Sequence, residues 1–216
     1  NTTAQPSAAA ARRVALLGFK NLGQRAEAAW LSTALTEMLA TELVAGGIPV
    51  VPGEDVARMR VELRLKDVDG NAATVGDICR NLGAQLVVTG TYTWLPPKGG
   101  GAAPLRLDVR LKDASGTVVA ALDETGADDA LLAMVDRLGS ALRRQLGVTT
   151  PVDTGGAARA ALPRTPQAAQ WYAQGLERLR ALDPSAALEP LQKAAALEEH
   201  PLIHRELSNA WRALGQ

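Results

Sequence analysis

The chain has one cysteine, two histidines, no excess of either charge and no long apolar run, and each shortage removes a class of function. Cys79 alone rules out an internal disulfide, and its helical neighbours Val75, Ile78 and Leu82 predict a small buried hydrophobe rather than a catalytic thiol. Histidine occurs only at positions 200 and 204, so no Ser, His and acid triad can be assembled in the larger, N-terminal part. His200 and His204 have the i, i+4 spacing of a helical metal pair. However, His200 precedes Pro201 and falls just outside the helix, and no third ligand is evident, so capping or solvent-facing roles are expected. Lys plus Arg and Asp plus Glu number 23 each. From Arg164 onward there are six of each sign and before it seventeen of each, so neither part carries a field suited to nucleic acid or anionic lipid. No apolar stretch approaches the roughly 20 residues that a bilayer span requires, and no signal-peptide pattern is present.

What the chain does have is length and apolar content: 216 residues, 47% of them hydrophobic, enough for one substantial core and a small satellite. Residues 1–12 are a Ser, Thr, Pro and Ala-rich stretch without periodicity, beginning at Asn1, and read as a linker in a piece of a longer protein. In the main domain, residues 13–147, Val14 to Phe19 is a short apolar run suited to a central strand. Ala26 to Ala45 follows with Leu31, Leu35, Met38, Leu39 and Glu42/Leu43 at helical spacing, closed by Gly46-Gly47. Ile48 to Val51 returns to the sheet, Pro49 being tolerable at an edge. A second helix, about Glu54 to Leu65, turns Val56, Met59/Arg60 and Leu63 inward, and a third starts at Thr74 as its cap and ends at Gly83. Leu86 to Leu95, the strictly alternating Leu105 to Lys112 and Thr117 to Leu122 form an antiparallel meander. A long amphipathic helix then opens at Asp128 or Asp129, where negative charge suits the positive dipole end, and stops at Gly147.

Residues 148–164, with Pro151, Gly155-Gly156 and Pro163, read as a second linker. Residues 165–216 have the grammar of a tetratricopeptide array, one full unit plus the first helix of the next: Trp171 to Gly175, then Asp183-Pro184, then Ala187 to Ala194, with small residues where antiparallel helices must touch. A last helix from Pro201 to Leu214 carries an apolar stripe at Ile203, Leu207, Ala210/Trp211 and Leu214 with no helix after it to cover it. The expected class is therefore α/β (α+β): a mixed five-stranded sheet with packed helices, followed by a short all-α tetratricopeptide-like segment.

Four stretches carry a family resemblance: Val14 to Leu22 with its Phe-x-Asn turn, Leu35 to Leu39, Val75 to Tyr92 with its Leu-Gly turn into a glycine-bearing strand, and the hairpin Leu111 to Gly116. Over about Arg13 to Gly147 the chain resembles the amino-terminal domain of the translocation protein TolB and its CsgG-like relatives. The Pro96 to Gly101 insert is longer than that family's turn. Such a domain followed by tetratricopeptide helices is similar to the extracytoplasmic region of bacterial membrane-anchored Ser/Thr kinases and some adenylate cyclases. The resemblance implies a periplasmic location, residues 1–12 as the tether from an upstream membrane anchor, and a non-catalytic sensor or interaction module that binds a protein, peptide or envelope component. The alternative is a structural part of an envelope complex that acts by oligomerising.

No cofactor is expected. Pro97-Lys98-Gly99-Gly100-Gly101 lacks the Gly-Lys-Ser/Thr that opens a helix in a phosphate cradle, and a strand follows it. The candidate partner-binding residues lie elsewhere. Arg205, Asn209 and Arg212 share one polar face of the last helix, able to hold a carboxylate or acidic segment or simply to be solvated. Tyr172, Leu176 and Arg180 would line the same concave side of the preceding repeat if the tetratricopeptide resemblance holds, and Trp94 stands at the sheet rim as an anchor or as loop-covered packing.

Overall fold

A computed structural model describes residues 12–23, 25–65, 72–97, 102–148 and 156–215. The expected tether at 1–11, residues 98–101 of the insert and residues 149–155 of the second linker lie outside the described residues.

The elements run β1 (Val14–Asn21), α1 (Leu31–Ala45), α2 (Gly53–Glu62), α3 (Ala72–Leu82), β2 (Leu86–Trp94), β3 (Leu105–Asp113), β4 (Val118–Gly126), α4 (Leu131–Gln145), α5 (Ala157–Ala160), α6 (Pro166–Arg180), α7 (Pro184–Leu197) and α8 (Pro201–Ala213). Single 3-10 turns at Ala26–Ala28 and Asp128–Ala130 precede α1 and α4. The sheet order is β1-β2-β3-β4, with β1 parallel to β2 and the rest antiparallel.

The sheet therefore has four strands and not the five expected. Ile48 to Val51 does reach the edge of β1, but only as a single parallel bridge between Val14 and Val50. Val14 N–H donates to Pro49 O at 2.9 Å and Val51 N–H donates to Val14 O at 2.8 Å. Pro49 has no N–H to extend the ladder, and α2 begins at Gly53, so the segment is too short to continue. The third helix also differs: it starts at Ala72, which places Thr74 inside its first turn rather than at its cap.

A bulge between Leu16 and Gly18 sets the faces of β1. Gly18 sits there at φ 113°, a conformation side chains resist, and the shift turns Phe19 onto the same face as Leu16. Its ring fills the place that a Cβ on Gly90 would take, 2.3 Å away, so β1 and β2 lock through a Phe over a Gly. On this face Val88, Tyr92, Leu107, Val109 and Leu111 pack against Leu35, Met38 and Leu39 of α1 and Met134, Leu138 and Leu142 of α4. The opposite face is covered only over β1 and β2, where Ala15, Leu17 and Val87 meet Val56, Met59, Val75, Ile78 and the buried Cys79. Burial raises the Cys79 thiol pKa, which keeps it protonated and inert. Over β3 and β4 that face is polar: Arg106 pairs with Asp108 at 2.8 Å and Asp123 at 3.3 Å, as the alternation of Leu105 to Lys112 required.

The helical segment joins the main core rather than standing apart from it. One hydrophobic cluster runs from Val14 through α1 to Tyr172, Leu191, Ile203 and Ala210. Within it, α6 and α7 touch closely: a Cβ on Gly175 would meet Leu191 Cγ at 2.5 Å, which explains the small residue there. Asp183 caps α7 by accepting from Ala186 N–H at 3.0 Å, with Pro184 at the first helical position. Glu198, after α7, accepts from the N–H groups of Arg164 and Thr165, both at 2.9 Å, and so fastens the start of α6.

Candidate interaction site

The face of α6 that the tetratricopeptide resemblance would have made a concave binding side is occupied by the chain's own helix. α6 lies along α1, and this buries Tyr172 and Leu176 to 1% and 2% exposure. Burial first, and then the negative charge of Glu206 and Glu37, raises the Tyr172 pKa well above the usual phenol range. Arg180, one turn further on, escapes the core and donates to Glu37 Oε1 of α1 at 2.7 Å, with Glu54 of α2 at 4.0 Å. Of the three residues placed together by helical spacing, two are thus core and one lines a cleft.

On α8 the polar face is tied to a residue the sequence reading passed over. Glu206 is buried, and its carboxylate accepts from Arg205 Nε at 2.8 Å and from Asn209 Nδ2 at 2.9 Å. Arg212 donates in turn to Asn209 Oδ1. The three candidates are brought together, but in a hydrogen-bonded chain through Glu206 that already commits one donor of each. The signal for Glu206 was its place between Ile203 and Ala210 on the inward stripe. His200 caps α8, its Nδ1 accepting from Leu202 N–H at 3.3 Å, and the described residues contain no cluster of three metal-ligating side chains.

Trp94 is half-buried at the rim. It stacks edge-on to Tyr92 at 6.0 Å, donates from Nε1 to Asp128 Oδ1 at 2.9 Å, and lies under the Arg25 guanidinium at 4.5 Å. One face, the Tyr92 contact and the N–H of the indole are therefore taken by internal partners. Behind it, Tyr92 donates to Ala28 O at 3.0 Å, and burial pushes its pKa up to about 12.

Two arrangements of charge sit where α1 meets its neighbours. The first is closed. Glu42 is wholly buried and Arg143 of α4 nearly so; Arg143 Nη1 donates to Glu42 Oε2 and to Glu42 O, both at 3.1 Å, and Ala158 N–H of α5 donates to Glu42 Oε1 at 3.0 Å. Asp136 adjoins this group, and burial followed by the charge of Glu42 raises its pKa.

The second is open. Beyond the C-terminal half of β1, between α1, α2 and α6, lies a cleft of about 670 Å³. Among the described residues, Lys20, Arg60, Arg64 and Arg180 line it against one lining acid, Glu177. Arg60, which the sequence had turned inward beside Met59, donates from Nη1 to Leu17 O at 3.3 Å. Burial first, then the adjacent charge of Arg180, lowers the Arg60 pKa. Another cleft of about 710 Å³ lies between Trp30 and Trp171, but the Lys193 ammonium already covers the Trp171 ring at 4.4 Å.

No protein-family model matches the chain, and no curated protein matches it. Solved structures are similar in fold. The C-terminal domain of LpoB from Salmonella enterica is 19% identical with a TM-score of 0.43, over 55% of this chain and 84% of that one. Lipoprotein GNA1162 from Neisseria meningitidis is 16% identical with a TM-score of 0.44, over 63% and 98%. The PelC dodecamer from Paraburkholderia phytofirmans is 20% identical with a TM-score of 0.39, over 66% and 94%. These findings correct the TolB, CsgG and kinase-associated identification: the similar structures named are LpoB, GNA1162 and PelC, and no TolB, CsgG or kinase-associated domain is among them. The residues that carried that resemblance have a general cause here. Gly18 serves a bulge and Gly90 the contact with Phe19, both demands of the β1-β2 pairing, and Gly83 serves a helix stop at φ 61°.

Proposed function

We propose that this chain is a non-catalytic, extracytoplasmic assembly component of a cell envelope, acting through protein contact and in particular through contact with a second copy of itself. The observation that carries the reading is the edge formed by β4. Among the described residues no strand pairs with its outer side, and a bulge opposite Leu111 and Lys112 leaves Val118 and Val119 exposed at 45% and 49%. Edge strands are ordinarily blunted by lysine, proline or a cover, because their free N–H and C=O groups recruit another strand. Here Val118 to Leu122 has no lysine, no proline and no cover among the described residues; the bulge at Val119 is the one blunting device it carries. Antiparallel pairing of β4 with its own copy about Leu122 sets Ala120 opposite Glu124 and Ala121 opposite Asp123, so no like charges face directly across.

The non-catalytic part of the reading is supported by how the ionisable groups are used: Glu42, Arg143, Glu206, Glu198 and Asp183 hold backbone or one another. The extracytoplasmic part is in keeping with the fold neighbour GNA1162 being a lipoprotein, and the assembly part with PelC being a dodecamer, which are properties of those proteins. No helix among the described residues is long and apolar enough to cross a membrane.

Sedimentation velocity across a hundredfold concentration range tests the reading. The wild type is expected to associate, and the double variant Val118→Lys, Val119→Lys to remain monomeric with an unchanged circular-dichroism melt. A wild type that stays monomeric throughout, or a variant that associates equally, contradicts it.

A further inference from the structure

The cleft beyond β1 is built for a ligand that the assembly reading does not use. Its volume, about 670 Å³, lies within the range of small-molecule sites, and it stands outside the carboxyl end of a strand whose parallel neighbour is β2, where open α/β sheets place ligands. Three features of its charge call for an anion. Arg60 and Arg180 come from helices about 120 residues apart in sequence, yet their guanidinium groups are close enough to repel. In its observed rotamer Arg180 lies over Gly53, where a Cβ would stand 2.2 Å from Nη2. Its Nε is buried without a hydrogen-bond partner, although Nη2 is held by Glu37. Glu37 and Glu54 offset the charge of Arg180 from the far side, but the unmet Nε is a buried donor that an anion in the cleft would satisfy.

The remaining walls select for more than a bare inorganic ion. Leu17, Phe19, Val56, Val61 and Leu65 present hydrocarbon, and Thr33 and Thr36 of the first turns of α1 add hydroxyls beside it. We propose that the cleft binds a small organic anion, with its phosphate or carboxylate between Arg60 and Arg180 and its apolar body against Phe19, Val56 and Leu65. Because Arg60 belongs to α2 and Arg180 to α6, the ligand bridges the sheet domain and the helical segment, and its binding tightens the seam between them.

Isothermal titration at low salt with phenyl phosphate, phenylacetate and inorganic phosphate tests this, with thermal melting as the second readout. Phenyl phosphate or phenylacetate is expected to bind at least tenfold more tightly than inorganic phosphate and to raise Tm; the tighter of the two identifies the head group as phosphate or carboxylate. Arg60→Gln should weaken binding at least tenfold, since only the hydrogen bond to Leu17 O is otherwise lost. Ala57→Phe, which leaves every charge in place and fills the cleft, should abolish binding. Absence of binding by both organic probes at millimolar concentration, equal affinity for inorganic phosphate, or undiminished binding in folded Arg60→Gln or Ala57→Phe would overturn the proposal. The cleft is remote from β4, so a negative result leaves the self-association test intact.

Discussion

The two edges of the sheet are finished in opposite ways. At β1 the chain closes its own edge: Ile48 to Val51 lays two backbone hydrogen bonds on Val14, Val51 is buried, and α1 packs on β1 with α4, α5 and α6 around it, the Glu42 and Arg143 pair joining α1, α4 and α5. At β4 the described chain adds nothing outside the strand, and the outer face carries an Arg106, Asp108 and Asp123 ladder open to water. The buried charge pair and the closed backbone lie on the β1 side, and the β4 edge, unpaired among the described residues, is where the proposed self-contact would form.

Changes on the closed side should be the most damaging. Glu42→Ala leaves Arg143 buried without its carboxylate and frees the Ala158 N–H, and is expected to cost about 3–5 kcal/mol in chemical denaturation. Gly175→Val drives a branched side chain into Leu191 at the α6 and α7 contact, with an expected loss of about 1–3 kcal/mol. Acid should loosen the same segment through Glu198. Its burial favours the protonated form, but the hydrogen bonds from Arg164 and Thr165 outweigh this and hold its pKa below the usual carboxylate value. A depressed folded pKa means that the stabilisation is present above the unfolded pKa, about 4.3, and is lost as pH falls through the folded value. Glu198→Gln should therefore melt below the wild type at neutral pH, with the difference shrinking in acid. A constant difference across that range would remove Glu198 as the cause. The smallest effect belongs to the open side: Val119→Asp should change stability by no more than about 0.5 kcal/mol and yet prevent self-association. A loss comparable to that of Glu42→Ala would mean that β4 is as closed as β1.

Features that depend on near neighbours were legible in the sequence. The alternation of Leu105 to Lys112 marks a strand with one wet face, Asp183-Pro184 marks a helix start, and Gly175 marks a close helix contact. Ile48 to Val51 misled for a physical reason: an apolar run reports burial, which is real here, and not the number of ladder hydrogen bonds, which Pro49 and the approaching α2 limit. Helical spacing puts Tyr172 and Leu176 on one face of α6, expected to be a concave binding side, but what covers that face is α1, more than a hundred residues earlier, and no local spacing encodes it. The cleft was hidden for the same reason. Arg60 stood out only as a cation on an inward helical stripe beside Met59, and its companion Arg180 was read as part of a groove on the helical segment alone.

Hydrogen exchange followed by mass spectrometry at low and high protein concentration bears most directly on whether this molecule works by self-contact at β4. The outward amides between Val118 and Glu124 should exchange freely when dilute and become protected at least tenfold when concentrated, while β1 stays protected at both. Exchange at β4 that is fast and independent of concentration would contradict the account.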